Sequence, residues 1–307
     1  MGMKKEVKEH IAHKMKIAKD FESEGKTLHA LQVYKKLIDI YPTYTKAYVN
    51  LADLYERLGK FNHAVGLLKS FLSIDPYNYE IRMQLGQYLM KKGKWDEASD
   101  VLDFLSAKGD PKASFFLGFI NYKQENFEIA KMNFLNFIRC EKEPEILMEA
   151  FFYLAKIEIE LSDFESALAF AKKAKVLYDN FWELNLITAI SYFHLGMYTH
   201  AATHIEKAKK LNPKEASLRE WAGKIYLKTH EFLKAEENFL KYIELKEPAS
   251  SELYADLGEA CLNAKKAEAA LAYYEIALRL DPGNQSAQAG KKNAVLAVEN
   301  NKTNNDE

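Results

Sequence analysis

Histidine pairs come nearest to a reactive or metal-binding arrangement in this sequence. His200 and His204 are four residues apart, and His10 and His13 are three apart, so each pair would share one face of a helix. Two imidazoles on one face are a start toward a zinc site, but the sequence has no HExxH motif and offers no obvious third ligand. We therefore predict surface histidines and no bound metal or cofactor.

No other catalytic signature is present. The sequence lacks a GxxxxGK[ST] phosphate loop, a GxGxxG turn and a GxSxG elbow, and no carboxylate pair stands out for proton transfer. Lys plus Arg (43) nearly balance Asp plus Glu (44), so overall charge favours neither nucleic acid nor an acidic membrane. We expect a protein that is not an enzyme and does not bind nucleic acid.

The cysteines and the apolar runs bear on location. Cys140 and Cys261 are far apart and match no metal spacing or disulfide framework, so we expect reduced core thiols. The start, MGMKKEVKEHIAHKMK, lacks the apolar run of a secretion signal, and no stretch approaches the roughly 20 apolar residues that cross a bilayer. These features predict a cytoplasmic protein without direct membrane insertion.

An internal repeat predicts which secondary-structure elements the chain forms. An alanine recurs at steps of 34, 34, 32, 37, 34, 34 and 35 residues, and in six of the eight repeats an aromatic residue stands three positions before it. The anchor alanines are Ala30, Ala64, Ala98, Ala130, Ala167, Ala201, Ala235 and Ala270. A period in this range indicates a solenoid, in which each repeat buries its apolar face against its neighbours.

Each repeat reads as two helices joined by a turn. A Leu-Gly or Leu-Ala pair, such as Leu85-Gly86, lies twelve or thirteen residues before the anchor and allows two helices to cross closely. Apolar residues four and seven positions after the anchor share one face of a second helix. Turns with proline, such as Asp110-Pro111, end most repeats, and we expect the Asp or Asn before proline to cap the next helix.

Taken together, these residues resemble the tetratricopeptide repeat (TPR) family. The resemblance implies an all-α, right-handed superhelical solenoid of antiparallel helix pairs. Residues 1–284 would form eight repeats (about 11–44, 45–78, 79–110, 111–147, 148–181, 182–215, 216–250 and 251–284), followed by a capping helix at 285–300 and a disordered tail at 301–307. The 37-residue step predicts a lengthened helix or turn around residues 141–148.

The candidate site is a stripe of apolar residues on the middle first helices, which the resemblance places on the concave side. Positions 15, 11 and 8 residues before each anchor share a helix face, and eight of the nine in the middle repeats are apolar. Lys156 and His194 would add hydrogen bonds or form a solvated rim. The predicted contact residues are Phe115, Phe119, Tyr122, Phe152, Lys156, Ile159, Leu186, Ile190, Phe193 and His194.

Three interpretations of this stripe remain open: a groove for a peptide or helix of a partner protein, a homo-oligomer interface, or ordinary buried core. The first makes the chain a non-catalytic scaffold or adaptor. The alternatives are a self-assembling structural scaffold or a regulatory subunit of a partner enzyme. TPR domains that hold acidic chaperone tails use a clamp of Lys, Asn and Arg side chains, of which only Asn50 is present here, so we predict no such binding.

Overall fold

The computed structural model describes residues 5–176, 180–246 and 248–305, and these contain seventeen α-helices and no β-strand. The all-α prediction is therefore confirmed. The chain divides into two compact units, Met1–Lys142 (unit 1) and Glu143–Glu307 (unit 2). No helix in the described ranges combines the length and hydropathy that a bilayer crossing requires.

Each unit is a series of helical hairpins. Unit 1 contains α1 (Lys5–Ser23), α2 (Thr27–Ile40), α3 (Thr45–Arg57), α4 (Phe61–Leu72), α5 (Tyr79–Lys91), α6 (Trp95–Ala107), α7 (Pro111–Lys123) and α8 (Phe127–Cys140). Unit 2 contains α9 (Pro144–Glu160), α10 (Phe164–Lys175), α11 (Trp182–His194), α12 (Tyr198–Leu211), α13 (Ala216–Lys228), α14 (Phe232–Leu245), α15 (Ser251–Asn263), α16 (Ala267–Leu280) and α17 (Gln285–Asn305).

The repeated small residues lie where the two helices of each hairpin cross. All eight anchor alanines are 0% exposed. At Gly223 a Cβ atom would lie 2.4 Å from the ring of buried Phe239, and at Gly86 it would lie 2.6 Å from Leu102 Cγ. Because real Cβ atoms do not approach other atoms so closely, only glycine allows these crossings. The expectation of close helix contact at the Leu-Gly pairs is confirmed.

The turn within each hairpin needs a residue with a positive φ angle. In unit 1 this residue is glycine in three hairpins, as at Gly59 (φ 69°), and Glu125 in the fourth. In unit 2 only Gly196 is glycine, and Ser162, His230 and Lys265 take φ angles of 60° to 63°. A side chain in this left-handed region costs roughly 1 kcal/mol, so the turns of unit 2 carry more backbone strain than those of unit 1.

The predicted caps are correct at one proline and displaced at others. Asp110 accepts a bond from Ala113 N (2.7 Å), and Pro111 is the first residue of α7. At the turns that begin with Asp75 and Asp281, however, a later asparagine caps the helix. Asn78 Oδ1 accepts a bond from Ile81 N (3.1 Å), and Asn284 Oδ1 accepts one from Ala287 N (2.9 Å). There the proline lies within the turn, because the connection is longer and a second Asx residue stands at the helix start.

Two chain segments differ from the other hairpins. The long step coincides with α9, which has 17 residues against 13 in α7 and α11, and the unit boundary falls just before it, so four hairpins belong to each unit. The last helix, α17, packs against α15 and α16 and extends to Asn305. The tail expected to be disordered from residue 301 is thus helical to 305, while 306 and 307 lie outside the described residues.

Candidate functional site

Three of the predicted contact residues lie on α7 of unit 1, and all three are half-buried. The ring centroid of Phe115 is 5.5 Å from that of Phe134 and 5.1 Å from that of Phe137, two buried side chains of α8. Phe119 and Tyr122 follow along the same helix. Because Phe115 covers the core of its own hairpin, this part of the stripe is as much packing as open surface.

In unit 2, two predicted aromatic residues also contact neighbouring elements. The ring of half-buried Phe152 lies 5.2 Å from that of Phe181, and Lys156 Nζ lies 5.2 Å from the centre of the Phe152 ring. Phe193 packs edge-on against Trp221 of α13, with 5.6 Å between centroids. These side chains are therefore partly fixed by the fold.

His194 is exposed at the end of α11 and stacks on an aromatic ring. Its imidazole lies parallel to the Phe164 ring, with 4.1 Å between centroids and 5° between planes. Partial burial, and then the charge of Lys224, lower the pKa of His194 below its usual value. The side chain is thus neutral at physiological pH and positioned by stacking.

Four predicted residues meet at one pocket on the first helices of unit 2. Lys156 and Ile159 of α9 and Leu186 and Ile190 of α11 line a cavity of about 240 Å³. We call it the α9–α11 pocket. Its other lining residues, which the sequence analysis did not identify, are Glu160, Trp182, Glu183 and Ile187.

The chemistry of the α9–α11 pocket is an apolar centre with charged groups at the rim. Trp182 and Leu186 are half-buried, and Ile187 and Ile190 are 6% and 8% exposed. Lys156, Glu160 and Glu183 provide charges of both signs. The pocket is smaller than the roughly 300 Å³ at which small-molecule sites begin, so it suits one or two apolar side chains better than a cofactor.

Trp182 could have been found from helix periodicity. It precedes Leu186 by four residues and Ile190 by eight, so it continues their face of α11 by one turn. The repeat template placed its first surface position at Leu186, one turn too late. Of the ten predicted contact residues, Ile190 is buried, His194 is exposed and eight are half-buried, so the stripe is neither a fully open groove nor ordinary core.

The first helices of unit 1 instead surround a polar cavity of about 520 Å³, lined by Lys19, Glu22, Tyr34, Asn50, Asp53, Glu56 and Arg57. Its side chains bond one another. The hydroxyl of Tyr34 donates to Glu22 (2.5 Å), which also pairs with Arg57, and Asn50 Nδ2 donates to the Tyr34 oxygen at 3.5 Å. This polar surface already has partners for much of its hydrogen-bonding capacity.

The remaining acids of the polar cavity are held in the same way. Asp53 accepts bonds from the hydroxyl of buried Tyr88 and from Gln84 Nε2 (2.7 Å), and Lys91 bonds Glu56 at 2.7 Å. A carboxylate tail would face Asp53 and Glu56 beside Asn50. Lys19 and Arg57 also line the cavity, and Arg57 pairs with Glu22; the lack of binding to acidic chaperone tails stays a prediction.

The histidine pair of α12 contacts an aromatic ring. His200 and His204 both pack against the Tyr192 ring, with centroids 5.2 Å and 5.6 Å away. Across the described part of the chain, no group of three His, Cys, Asp or Glu side chains is arranged to hold a metal ion.

Comparisons with known proteins point to one kind of repeat. Three family models match the chain, at residues 33–65, 57–113 and 222–285, and each describes a tetratricopeptide repeat. No curated protein matches the chain.

Solved structures share the architecture at low sequence identity. The chain is similar to a tetratricopeptide repeat protein from Parabacteroides merdae (TM-score 0.55, 18% identity, covering 86% of this chain and 99% of that one). It is similar to a chain of the APC/C hetero-tetramer Cut9–Hcn1 (0.57, 16%, 87% and 52%) and to PilF of Pseudomonas aeruginosa (0.57, 14%, 68% and 95%). At such identities the likeness shows the fold alone.

Proposed function

Because the chain belongs to the tetratricopeptide repeat family, whose fold generally mediates protein–protein interaction, we propose that it is a non-catalytic scaffold or adaptor. Its partner presents a peptide or helix to the first helices. One of the similar structures is itself a hetero-tetramer of two proteins, which supports a role in assembly.

The α9–α11 pocket is the observation that carries this proposal. Its apolar walls are half-buried, so a partner side chain that fills it would gain roughly 25 cal/mol for each Å² of apolar surface removed from water. An amphipathic helix places anchors at i, i+3 and i+4, and one or two of these would occupy the available volume. Lys156, Glu160 and Glu183 would bond the polar side of the ligand.

The other predicted residues belong to the proposed contact surface of their own unit. In unit 2, Phe152, Phe193 and His194 present the edges of rings that the fold already holds in place. In unit 1, Phe115, Phe119 and Tyr122 present half-buried rings on α7. Rigid aromatic side chains lose little entropy on binding, which suits them as contacts.

A displayed peptide library selected on the full chain tests this function. Wild-type protein is expected to enrich sequences with Leu, Phe or Trp at helical spacing, because these side chains match the pocket. The same selection on Leu186→Glu should lose that enrichment, since the variant places a charge on the apolar wall. Enrichment that persists in Leu186→Glu would contradict the proposal.

Leu296→Glu is the matched control, because Leu296 is 58% exposed on α17 and lies outside the pocket. It should enrich the same peptides as wild type. Light scattering on both proteins tests the homo-oligomer alternative. A defined dimer that Leu186→Glu converts to a monomer would assign the pocket to a second copy of the chain instead.

We infer a cytoplasmic location from the cysteines. Cys261 is buried as expected, whereas the expectation of a core position for Cys140 is wrong, because it lies exposed at the end of α8; both are free thiols, which suits a reducing compartment. Measuring the redox state of Cys140 in the native cell would test this, and an oxidised Cys140 would oppose it.

A further inference from the structure

Two second helices of unit 2 concentrate positive charge in a chain whose net charge is only −1. Helix α10 carries Lys172, Lys173 and Lys175 in its last turn, and α12 carries His200, His204 and Lys207 at spacings of four and three, which place them on one face. Lys172, Lys207 and His200 are exposed. At neutral pH the positive charge of this local surface therefore comes from its lysines, Lys172, Lys175 and Lys207.

Side chains of α11 join the two helices into that surface. Lys175 Nζ lies 3.2 Å from Asn185 Oδ1, and His204 Nδ1 lies 3.3 Å from the same oxygen. The Tyr192 ring stacks on His204, and Lys172 Nζ lies 6.0 Å from the centre of that ring. Asn185 is 1% exposed, so these contacts form around a fixed acceptor.

The pKa of His204 depends on the charges of this surface. Burial lowers its pKa most, and the positive charges of Lys175, Lys207, His200 and Lys172 lower it further, to about 4. The largest charge effects on His204 thus all come from cations. At neutral pH the imidazole is therefore uncharged, and carboxylates bound close to it would raise its pKa.

The described acids of the same helices do not neutralise the surface. Glu206 bonds Lys209 (2.7 Å) and the Tyr226 hydroxyl (2.6 Å), Glu183 lines the α9–α11 pocket, and Glu165 lies in the first turn of α10, at the opposite end from Lys172. Lys173 differs from its neighbours, because it lies over the Phe151 and Phe170 rings.

We propose that the surface formed by Lys172, Lys175, His200, His204 and Lys207, the α10–α12 basic surface, binds an acidic segment of a partner protein through Asp or Glu side chains. The residues of this surface extend over no more than about two turns of α10 and of α12. A short run of carboxylates matches that extent. A long nucleic acid would continue past it over a protein with no net positive charge. The surface lies on second helices and is independent of the proposal for the α9–α11 pocket.

The first test measures binding of a fluorescently labelled hexaglutamate peptide with blocked ends to the full chain. At about 50 mM salt, the charge-reversing pair Lys172→Glu and Lys207→Glu should weaken binding about tenfold or more. The control pair Lys228→Glu and Lys292→Glu makes the same change in net charge on α13 and α17 and should weaken it less than about twofold. Equal losses in the two pairs, or none, would overturn the proposal.

Circular dichroism of both pairs establishes that the helices remain. If the reversed pair unfolds, Lys172→Gln with Lys207→Gln replaces it, and a loss of at least about threefold is then expected. Proton NMR of His204 gives a readout that a structural defect would not produce. Saturating peptide should raise its pKa, because nearby carboxylates favour imidazolium, and an unchanged pKa would overturn the assigned contact.

Two competing ligands test which chemical class of anion the α10–α12 basic surface binds. A dT12 oligonucleotide and inorganic phosphate should each compete with the peptide only weakly at matched charge concentration. If the oligonucleotide binds the wild type more tightly than hexaglutamate does, and Lys172→Glu with Lys207→Glu removes that binding, the assignment to a protein partner is wrong.

Discussion

The first helices of the two units carry different side chains around their cavities: those of unit 1 are mainly polar, and those of unit 2 are mainly apolar. In unit 1, α1 and α3 surround a polar cavity in which Glu22, Tyr34 and Arg57 bond one another. In unit 2, α9 and α11 line the apolar α9–α11 pocket. The second helices of both units pack through the same anchor alanines, so the difference is confined to the exposed face.

The polar side chains around the cavity of unit 1 already bond one another, whereas the apolar side chains of the α9–α11 pocket would gain free energy by binding another molecule. Buried polar groups require partners, and Glu22, Tyr34, Asp53 and Tyr88 of unit 1 find them within the unit, although Gln84 Oε1 has none. Half-buried apolar groups such as Trp182 and Leu186 gain free energy when another molecule covers them. A repeat array can therefore keep one core pattern while its faces differ in what they bind.

The largest effect should come from removing the anchors of the α9–α11 pocket. Trp182→Ala combined with Leu186→Ala should weaken binding of a library-selected peptide about hundredfold, because central aromatic and aliphatic side chains dominate interface energies. Calorimetric titration measures this. Val49→Ala with Met90→Ala, a half-buried pair on α3 and α5, should change affinity less than about twofold. Similar losses in both pairs would remove the distinction between the units.

The half-buried acid of α15, Asp256, should make the stability of unit 2 depend on pH. Burial raises the pKa of Asp256 to about 6, while Lys224 opposes the rise. The folded state therefore favours the protonated acid, so ionisation costs nothing below about pH 4 and its full cost above about pH 6. Asp256→Asn should stabilise the protein by roughly 2 kcal/mol at about pH 7.5 and hardly at all at pH 4.

Urea unfolding at the two pH values checks this prediction, with Glu268→Gln, an exposed acid of α16, as the control. An equal gain for Asp256→Asn at both pH values would show that burial does not penalise the ionised form. Asp53 of unit 1 contrasts with Asp256, because it accepts hydrogen bonds from Tyr88 and Gln84.

Removing the Asp53 carboxylate should destabilise unit 1 and leave unit 2 unchanged. Asp53→Ala removes the acceptor to which the hydroxyl of buried Tyr88 donates, and that hydroxyl keeps only the bond it accepts from Gln84 Nε2 (3.2 Å), at a cost of about 1–2 kcal/mol. Amide hydrogen exchange in α3 and α5 should accelerate about tenfold, while exchange in α13 and α15 should not change. Asp53→Asn keeps a carbonyl acceptor and should lose less. If both variants behave alike, the hydrogen bond is not the stabilising feature.

The smallest effect concerns the hairpin turns. Lys265→Gly in unit 2 should stabilise the protein by about 0.5 kcal/mol, because it relieves a side chain at φ 63° at some cost in chain entropy. Gly59→Ala in unit 1 should destabilise it by a similar amount, although its Cβ would meet no atom within 4 Å. Melting temperatures that move in the same direction for both variants would contradict this account.

The features predictable from sequence were those imposed by local packing. Period and residue size identified the anchor alanines and the close helix crossing at Gly86, which meets Leu102, since both depend on contacts within one hairpin. The polar network of unit 1 was not predictable. Arg57 and Glu22 are 35 residues apart, and so are Tyr88 and Asp53, so both contacts depend on how successive hairpins stack.

The candidate surface was predicted in part for the same reason. Ile159, Leu186 and Ile190, which helical spacing and the repeat placed on one stripe, line one pocket. It missed Trp182 because the template began one turn later, and it could not show that Phe115 packs on Phe134 and Phe137. Division into two units was also hidden, since the 37-residue step indicated only extra length near residue 143.

Methyl NMR of the full chain with a library-selected peptide tests the central claim most directly, because it reports on both units at once. The account predicts that the methyl signals of Ile159, Leu186 and Ile190 shift on titration while those of Val49 and Met90 do not. Shifts at Val49 and Met90 without any at the α9–α11 pocket would contradict it.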